Sequence, residues 1–169
     1  VADTAIRRPP PVGRSLLGLA LFAAAAAAAA LIGVFAATGT AAEYAQLRQP
    51  AWAPPSWVFG PVWTVLYVLI ALAGWQVWRR RGWSGARAAL ALYGVQLVLN
   101  AAWTPLFFAA DLRALAFVDI VALVVVLTAT IAAFRRASGV AAVLLVPYWA
   151  WTVFAAALNL AVWQLNTGA

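Results

Sequence analysis

Three stripes of aromatic and polar side chains at helical spacing hold whatever reactivity this sequence has. Trp63 and Tyr67 lie four residues apart, Gln96, Asn100 and Trp103 follow one another on a single face, and Pro147, Trp151, Ala155 and Asn159 recur every fourth residue. An amide in an apolar setting needs a partner, so Asn100 and Asn159 are expected to face inward. Two readings of the stripes stay open: interhelical hydrogen bonds that glue helices together, or a cavity for a flat, largely apolar ligand held by a few polar handles. The chain has no His, Cys or Met, which removes the usual transition-metal ligands, the common haem axial ligands and the Cys or His members of nucleophilic sites. No metal and no cofactor is expected. Paired carboxylates and phosphate-binding loops are also missing. Asp119 is the one carboxylate expected inside an apolar segment, and its place near Arg113 points to a structural hydrogen bond.

The elements that carry these stripes are set by composition. Of 169 residues, 67% are hydrophobic and only 9% charged, a balance no water-soluble domain tolerates. A helix needs about 20 apolar residues to cross a bilayer core, and five segments qualify or nearly so: 15–37, 57–78, 88–108, 114–134 and 140–163. The fold class expected is an all-α integral membrane protein, a five-helix transmembrane bundle spanning 15–169 behind a cytoplasmic tail of residues 1–14. The first apolar run is too long for a signal peptide and reads as a retained span. Pro61, Pro105 and Pro147 fall inside predicted helices, where each removes a backbone donor. The Ala23–Ala30 run offers small side chains for close helix packing; a clean GxxxG motif and an internal repeat are lacking.

The formal charge of +7 could suggest nucleic acid, but the basic residues are all Arg, gathered in short clusters between apolar runs, so no nucleic-acid partner is expected. Nine of the eleven lie on one side of the predicted spans, leaving only Arg48 and Arg113 on the other. Cytoplasmic loops carry the basic excess, which places the N-terminus inside and the first loop and C-terminus opposite. Ala, Arg and Trp usage points to a bacterial membrane. Of ten Trp, Trp52, Trp57, Trp78, Trp83 and Trp163 fall near span ends, where indoles anchor at the headgroup boundary. Trp63, Trp103 and Trp151 lie deeper, beside polar residues.

The stretch from Leu47 to Tyr67, LRQPAWAPPSWVFGPVWTVLY, resembles the signature of the tryptophan-rich sensory protein/translocator protein (TspO/MBR) family. Asn100–Phe108, NAAWTPLFF, resembles that family's third-helix motif, and Val146–Trp151, VPYWAW, followed by Leu158-Asn159, its fifth. The resemblance runs from about Tyr44 to Asn166. It implies five helices, a homodimer, and a pocket under the first loop for porphyrins such as protoporphyrin IX and other flat lipophilic ligands, in sensing or transport. It also implies an alternative, light- and oxygen-dependent porphyrin breakdown, for which Trp63 and Trp151 would be the catalytic pair. A scaffold with no ligand is a further alternative. Carried over by position, Asn100, Trp103 and Ala155 would line the pocket with Trp63 and Trp151, Tyr67 would stand near, Pro54 and Pro55 would hold its lid, and Trp52 and Pro147 would also contact the ligand. Arg48 would meet the porphyrin propionates. Two departures stand out: Leu160 and Gln164 occupy places where animal members carry the Tyr and basic residue of a sterol motif, and Leu115 replaces a common Trp.

Overall fold

A computed structural model describes residues 10–167, among which every regular element is helical. In chain order these are α1 (Val12–Ala37), α2 (Ala41–Gln46), a 3₁₀ turn (Ser56–Val58) leading into α3 (Phe59–Gly85), α4 (Arg87–Thr104) continuing through a π turn (Pro105–Ala109), α5 (Arg113–Ala137) and α6 (Gly139–Asn166). All but α2 are long and apolar enough to cross a membrane, and the chain is an integral, multi-pass membrane protein. The tail expected over residues 1–14 loses its last three to α1; its first nine, with Arg7 and Arg8, lie outside the described residues.

Around the bundle the neighbours run α1, α3, α6, α5, α4 and back to α1. The hairpin partners α4 and α5, and α5 and α6, therefore pack side by side, whereas α3 sits between the first and last spans. The α5–α6 turn is a single residue. Ser138 is extended there, and its Oγ accepts a hydrogen bond from the Ala141 N–H at 3.3 Å, satisfying one of the donors that a helix start leaves free. The turn from α3 to α4 is made at Gly82, whose φ of 65° breaks the helix where a side chain would be strained.

The interior holds a seam of Ile70, Val77, Leu123, Leu127, Phe134, Leu145 and Tyr148, all fully buried. Val98, Val118, Val125 and Val143 face outward; in hydrocarbon an outward Val costs nothing, so hydropathy marks the spans but not their inner faces. Helices close up where side chains are small. A Cβ on Gly74 would come within 2.6 Å of the Phe22 ring and 2.8 Å of Tyr93, so this glycine lets α1 and α4 approach α3.

Two local features differ from the sequence reading. The first loop, for which the sequence reading named no helix, contains α2, which presents Tyr44 to the bundle. Pro61 is not mid-helix but the third residue of α3, where a missing N–H leaves little unpaired. Pro105 does disturb its helix. The turn behind it widens to π geometry, closed by the Ala110 N–H on the Pro105 carbonyl at 2.9 Å.

Candidate functional site

Two hydrogen-bonded chains of side chains cross the upper half of the bundle. In the first, the Tyr67 hydroxyl donates to Asn100 Oδ1 at 2.6 Å, and Asn100 Nδ2 donates to the Tyr148 hydroxyl at 3.0 Å. This ties α3, α4 and α6 at one level. In the second, Trp103 Nε1 donates to Asn159 Oδ1 at 3.0 Å, and Asn159 Nδ2 donates to the Arg113 carbonyl at 3.0 Å, joining α4, α6 and the start of α5. Asn100 and Asn159 are both buried, and each amide has both ends satisfied, as burial in hydrocarbon requires.

On the loop side of these chains lies a cavity of about 660 Å³ bounded by α1, α2, α3, the π turn and α6. Its α1 wall is a stripe of small residues, Ala23, Ala26, Ala27, Ala30 and Gly33. With no side chains to fill the space, a hollow remains. The facing walls are aromatic: Phe59, Trp63 and Tyr67 from α3, Trp103, Phe107 and Phe108 from the end of α4, and Tyr44 from α2. Trp103 stacks on Phe107 with centroids 5.3 Å apart, and Trp63 tilts against Tyr67 at 5.4 Å, so each ring is held by another and its face is presented ready-made. Asn159 and Ala155 complete the wall from α6.

The cavity thus brings together Trp63, Tyr67, Trp103 and Ala155 of the residues expected from sequence. Trp151 and Asn100 stand behind its wall. The Trp151 ring packs edge-on to Phe59 at 5.8 Å and tilts against Phe154 at 5.4 Å, so Phe59 is its immediate aromatic neighbour on α3. Pro147 belongs to α6 one turn below Trp151 and does not reach the hollow. Trp52 lies on Phe154 at 5.7 Å, and Pro54 and Pro55 lead into the 3₁₀ turn whose Ser56 touches the cavity rim. Arg48 is exposed. Its backbone is clipped by Asn166, whose Oδ1 accepts from the Arg48 N–H at 3.1 Å and whose Nδ2 donates to the Arg48 carbonyl at 3.0 Å.

Asp119 departs from its expected role. It makes no hydrogen bond through Oδ2, and Arg113 instead pairs with Asp111 at 2.5 Å. The reason is local: Asp111 turns at a positive φ of 56°, which carries its carboxylate back to Arg113.

Sequence reasoning missed Tyr44, Phe59, Phe107 and Phe108. The residues lay inside quoted motifs or the first loop, but one span gives no sign of which neighbour it meets. Tyr44 is the most informative of them. Its ring is buried against Phe59, Phe107 and Phe108, while its hydroxyl has no partner. Burial pushes that phenol above its ordinary range, because the charged form would lose its water. An unpaired hydroxyl at the wall of an apolar hollow is a handle for an acceptor.

The TspO/MBR family model matches residues 20–164. The chain is 43% identical over 127 residues to the translocator protein of Ovis aries, covering 74% of this chain and 75% of that one. It is 39% identical over 125 residues to the tryptophan-rich protein TspO of Chlorobaculum tepidum, covering 73% and 78%. Protein CrtK of Rhodobacter capsulatus is 34% identical over 161 residues, covering 91% and 96%. With five spans in place, and the aromatic motifs of its second and third spans forming one cavity, the chain belongs to the TspO/MBR family.

Proposed function

We propose that the cavity binds a porphyrin or a similarly flat, lipophilic tetrapyrrole, and that the protein senses or moves this ligand in the membrane. The observation that carries the reading is the cavity itself. Its 660 Å³ are walled by rings on one side and by alanines on the other, which suits a broad planar guest that stacks on Trp63 and Trp103 and slides along α1. The volume lies in the range of small-molecule pockets, about 300–1,000 Å³. Tyr44, with Thr40, Ser56, Thr64 and Thr104 in the lining, supplies the few polar groups. Arg48, on the same loop side, is the cation available to the propionates. The basic clusters favour a cytoplasmic position for the opposite end of the bundle, which supports ligand being received at the outer half.

A second reading, photooxidative breakdown of the bound porphyrin, is favoured by one arrangement. Trp63 lies 5.4 Å from Tyr67 and 6.1 Å from Tyr148, centroid to centroid, so an oxidisable indole in the cavity wall is backed by two phenols.

One experiment addresses both. Protoporphyrin IX is titrated into the purified protein in neutral detergent, followed by tryptophan fluorescence, and the complex is then illuminated in air. Saturable quenching that weakens in Trp63→Phe is expected; quenching that never saturates would overturn the binding reading. Loss of the Soret band with a defined product, slowed in Trp63→Phe, would support the second reading, and bleaching identical in the variant would remove it.

A further inference from the structure

The end of the bundle remote from the cavity collects positive charge that no carboxylate among the described residues balances. Arg79, Arg80 and Arg81 close α3, Arg87 opens α4, and Arg135 and Arg136 lie in the last turn of α5. Among the described residues no carboxylate lies at this end: Asp111 and Asp119 are at the other end of α5, and Glu43 is on α2 in the first loop. Two of these arginines are already held. The Arg79 guanidinium lies 4.5 Å from the Trp75 ring centroid, and Trp75 Nε1 donates to the Ser15 carbonyl at 2.9 Å. Arg81 reaches across from α3, and its Nη2 donates to the Arg136 carbonyl at 3.2 Å.

That last contact lays the Arg81 side chain against the backbone of Arg136 in the last turn of α5, so a seam between α3 and α5 carries Arg81 beside a turn that also bears Arg135 and Arg136. The carboxyl end of α5 offers a fraction of a negative charge, about half a unit, against three whole positive ones. Arg135 and Arg136 are exposed, and among the described residues their guanidinia make no hydrogen bond. Depth is marked independently. Trp83, two residues beyond Arg81, is half exposed and packs on Trp78 with centroids 6.1 Å apart, an indole placed as at a headgroup boundary. We infer that this seam is a binding site for an anionic phospholipid, whose phosphodiester sits between Arg81, Arg135 and Arg136. Guanidinium forks match phosphate oxygens in pairs, and Arg81, fixed by the α5 carbonyl, gives the site its geometry. A lipid is favoured over a free anion because Trp83, just past Gly82 from Arg81, and Val140, at the start of α6, are exposed and apolar at the same end of the bundle, which suits acyl chains. The site is independent of whatever occupies the cavity.

The full chain in neutral detergent is titrated with short-chain phosphatidylglycerol, with phosphatidylcholine of the same chain length, and with inorganic phosphate, at 150 mM salt in every arm. The unfolding midpoint is read at fixed scan rate. Phosphatidylglycerol is expected to raise the midpoint by about 2–4 °C, with phosphatidylcholine and phosphate giving no rise. Arg135→Gln/Arg136→Gln, which breaks no hydrogen bond among the described residues, should keep the unliganded midpoint and lose the rise. Arg81→Lys should retain part of it. Equal stabilisation by the two lipids, an equal rise with inorganic phosphate, or an undiminished rise in the double variant would each overturn the assignment.

Discussion

Asn166, at the last turn of α6, holds the backbone of Arg48 by both its N–H and its carbonyl, across 118 residues of sequence. The same Nδ2 also donates to the Val162 carbonyl at 2.7 Å, which fixes the amide orientation. This clip pins the loop between α2 and the 3₁₀ turn, whose two ends, at Tyr44 and Ser56, line the cavity. Each neutral hydrogen bond contributes about 0.5–1.5 kcal/mol. Asn166→Ala should therefore loosen the loop and speed porphyrin dissociation about tenfold, roughly 1.4 kcal/mol, in stopped-flow tryptophan quenching. An unchanged rate would show that this loop does not gate the cavity.

Asn100 illustrates the opposite role. It bridges Tyr67 and Tyr148 without lining the cavity. Asn100→Ala leaves two phenolic hydroxyls short of a partner, at a cost of about 1–3 kcal/mol for each orphaned group. The expected result is a lowered unfolding midpoint in detergent. Porphyrin affinity of the folded fraction should change little, which separates a framework role from direct contact.

Filling the hollow should do the reverse. Ala30 faces the rings across the cavity, and Ala30→Phe puts a side chain into empty space instead of into packed core. Porphyrin quenching should fall by at least tenfold in apparent affinity while the midpoint holds or rises. Gly74→Ala makes the contrast, since its methyl would strike Phe22 at 2.6 Å; overpacking of this kind costs about 1–3 kcal/mol and should lower the midpoint.

Tyr44 gives a pH signature. Its phenol titrates ordinarily at 10.0 and is raised in the fold by burial. Above pH 10.0 the unfolded chain loses this proton while the folded one keeps it, so the native state binds more protons and stability falls with rising pH. Below that point the contribution is complete and flat. Tyr44→Phe should reduce the alkaline loss of stability, measured as midpoint against pH from 8 to about 11, and should weaken ligand binding at neutral pH. An alkaline limb identical to wild type would refute the burial of this hydroxyl.

The fold was legible because hydrocarbon length and Arg asymmetry are properties of segments, and segments can be read one at a time. The inward turn of Asn100 and Asn159 was legible for the same reason: an amide in lipid has few alternatives. Trp151 shows where this stops. Its helical face was correctly grouped with Ala155, yet only Ala155 meets the cavity, because Phe59 from α3 occupies the space before it. Neither span alone specifies that contest. Tyr44 was hidden because a six-residue helix in a loop has too short a period to recognise, and the Asp111–Arg113 pair depended on a backbone turn that sequence does not announce. The Ala23–Ala30 run was read as a packing surface, and it turned out to matter as well for the space it leaves.

The neighbour order around the bundle also bears on how the protein is made. Because α3 sits between α1 and α6, the chamber has no fourth wall until the last helix enters the bilayer. A nascent chain holding only four spans has its rings but no enclosure, and the clip supplied by Asn166 is synthesised later still. The enclosed cavity is thereby postponed until α6 has been made, and a product that stops short of α6 would lack that wall.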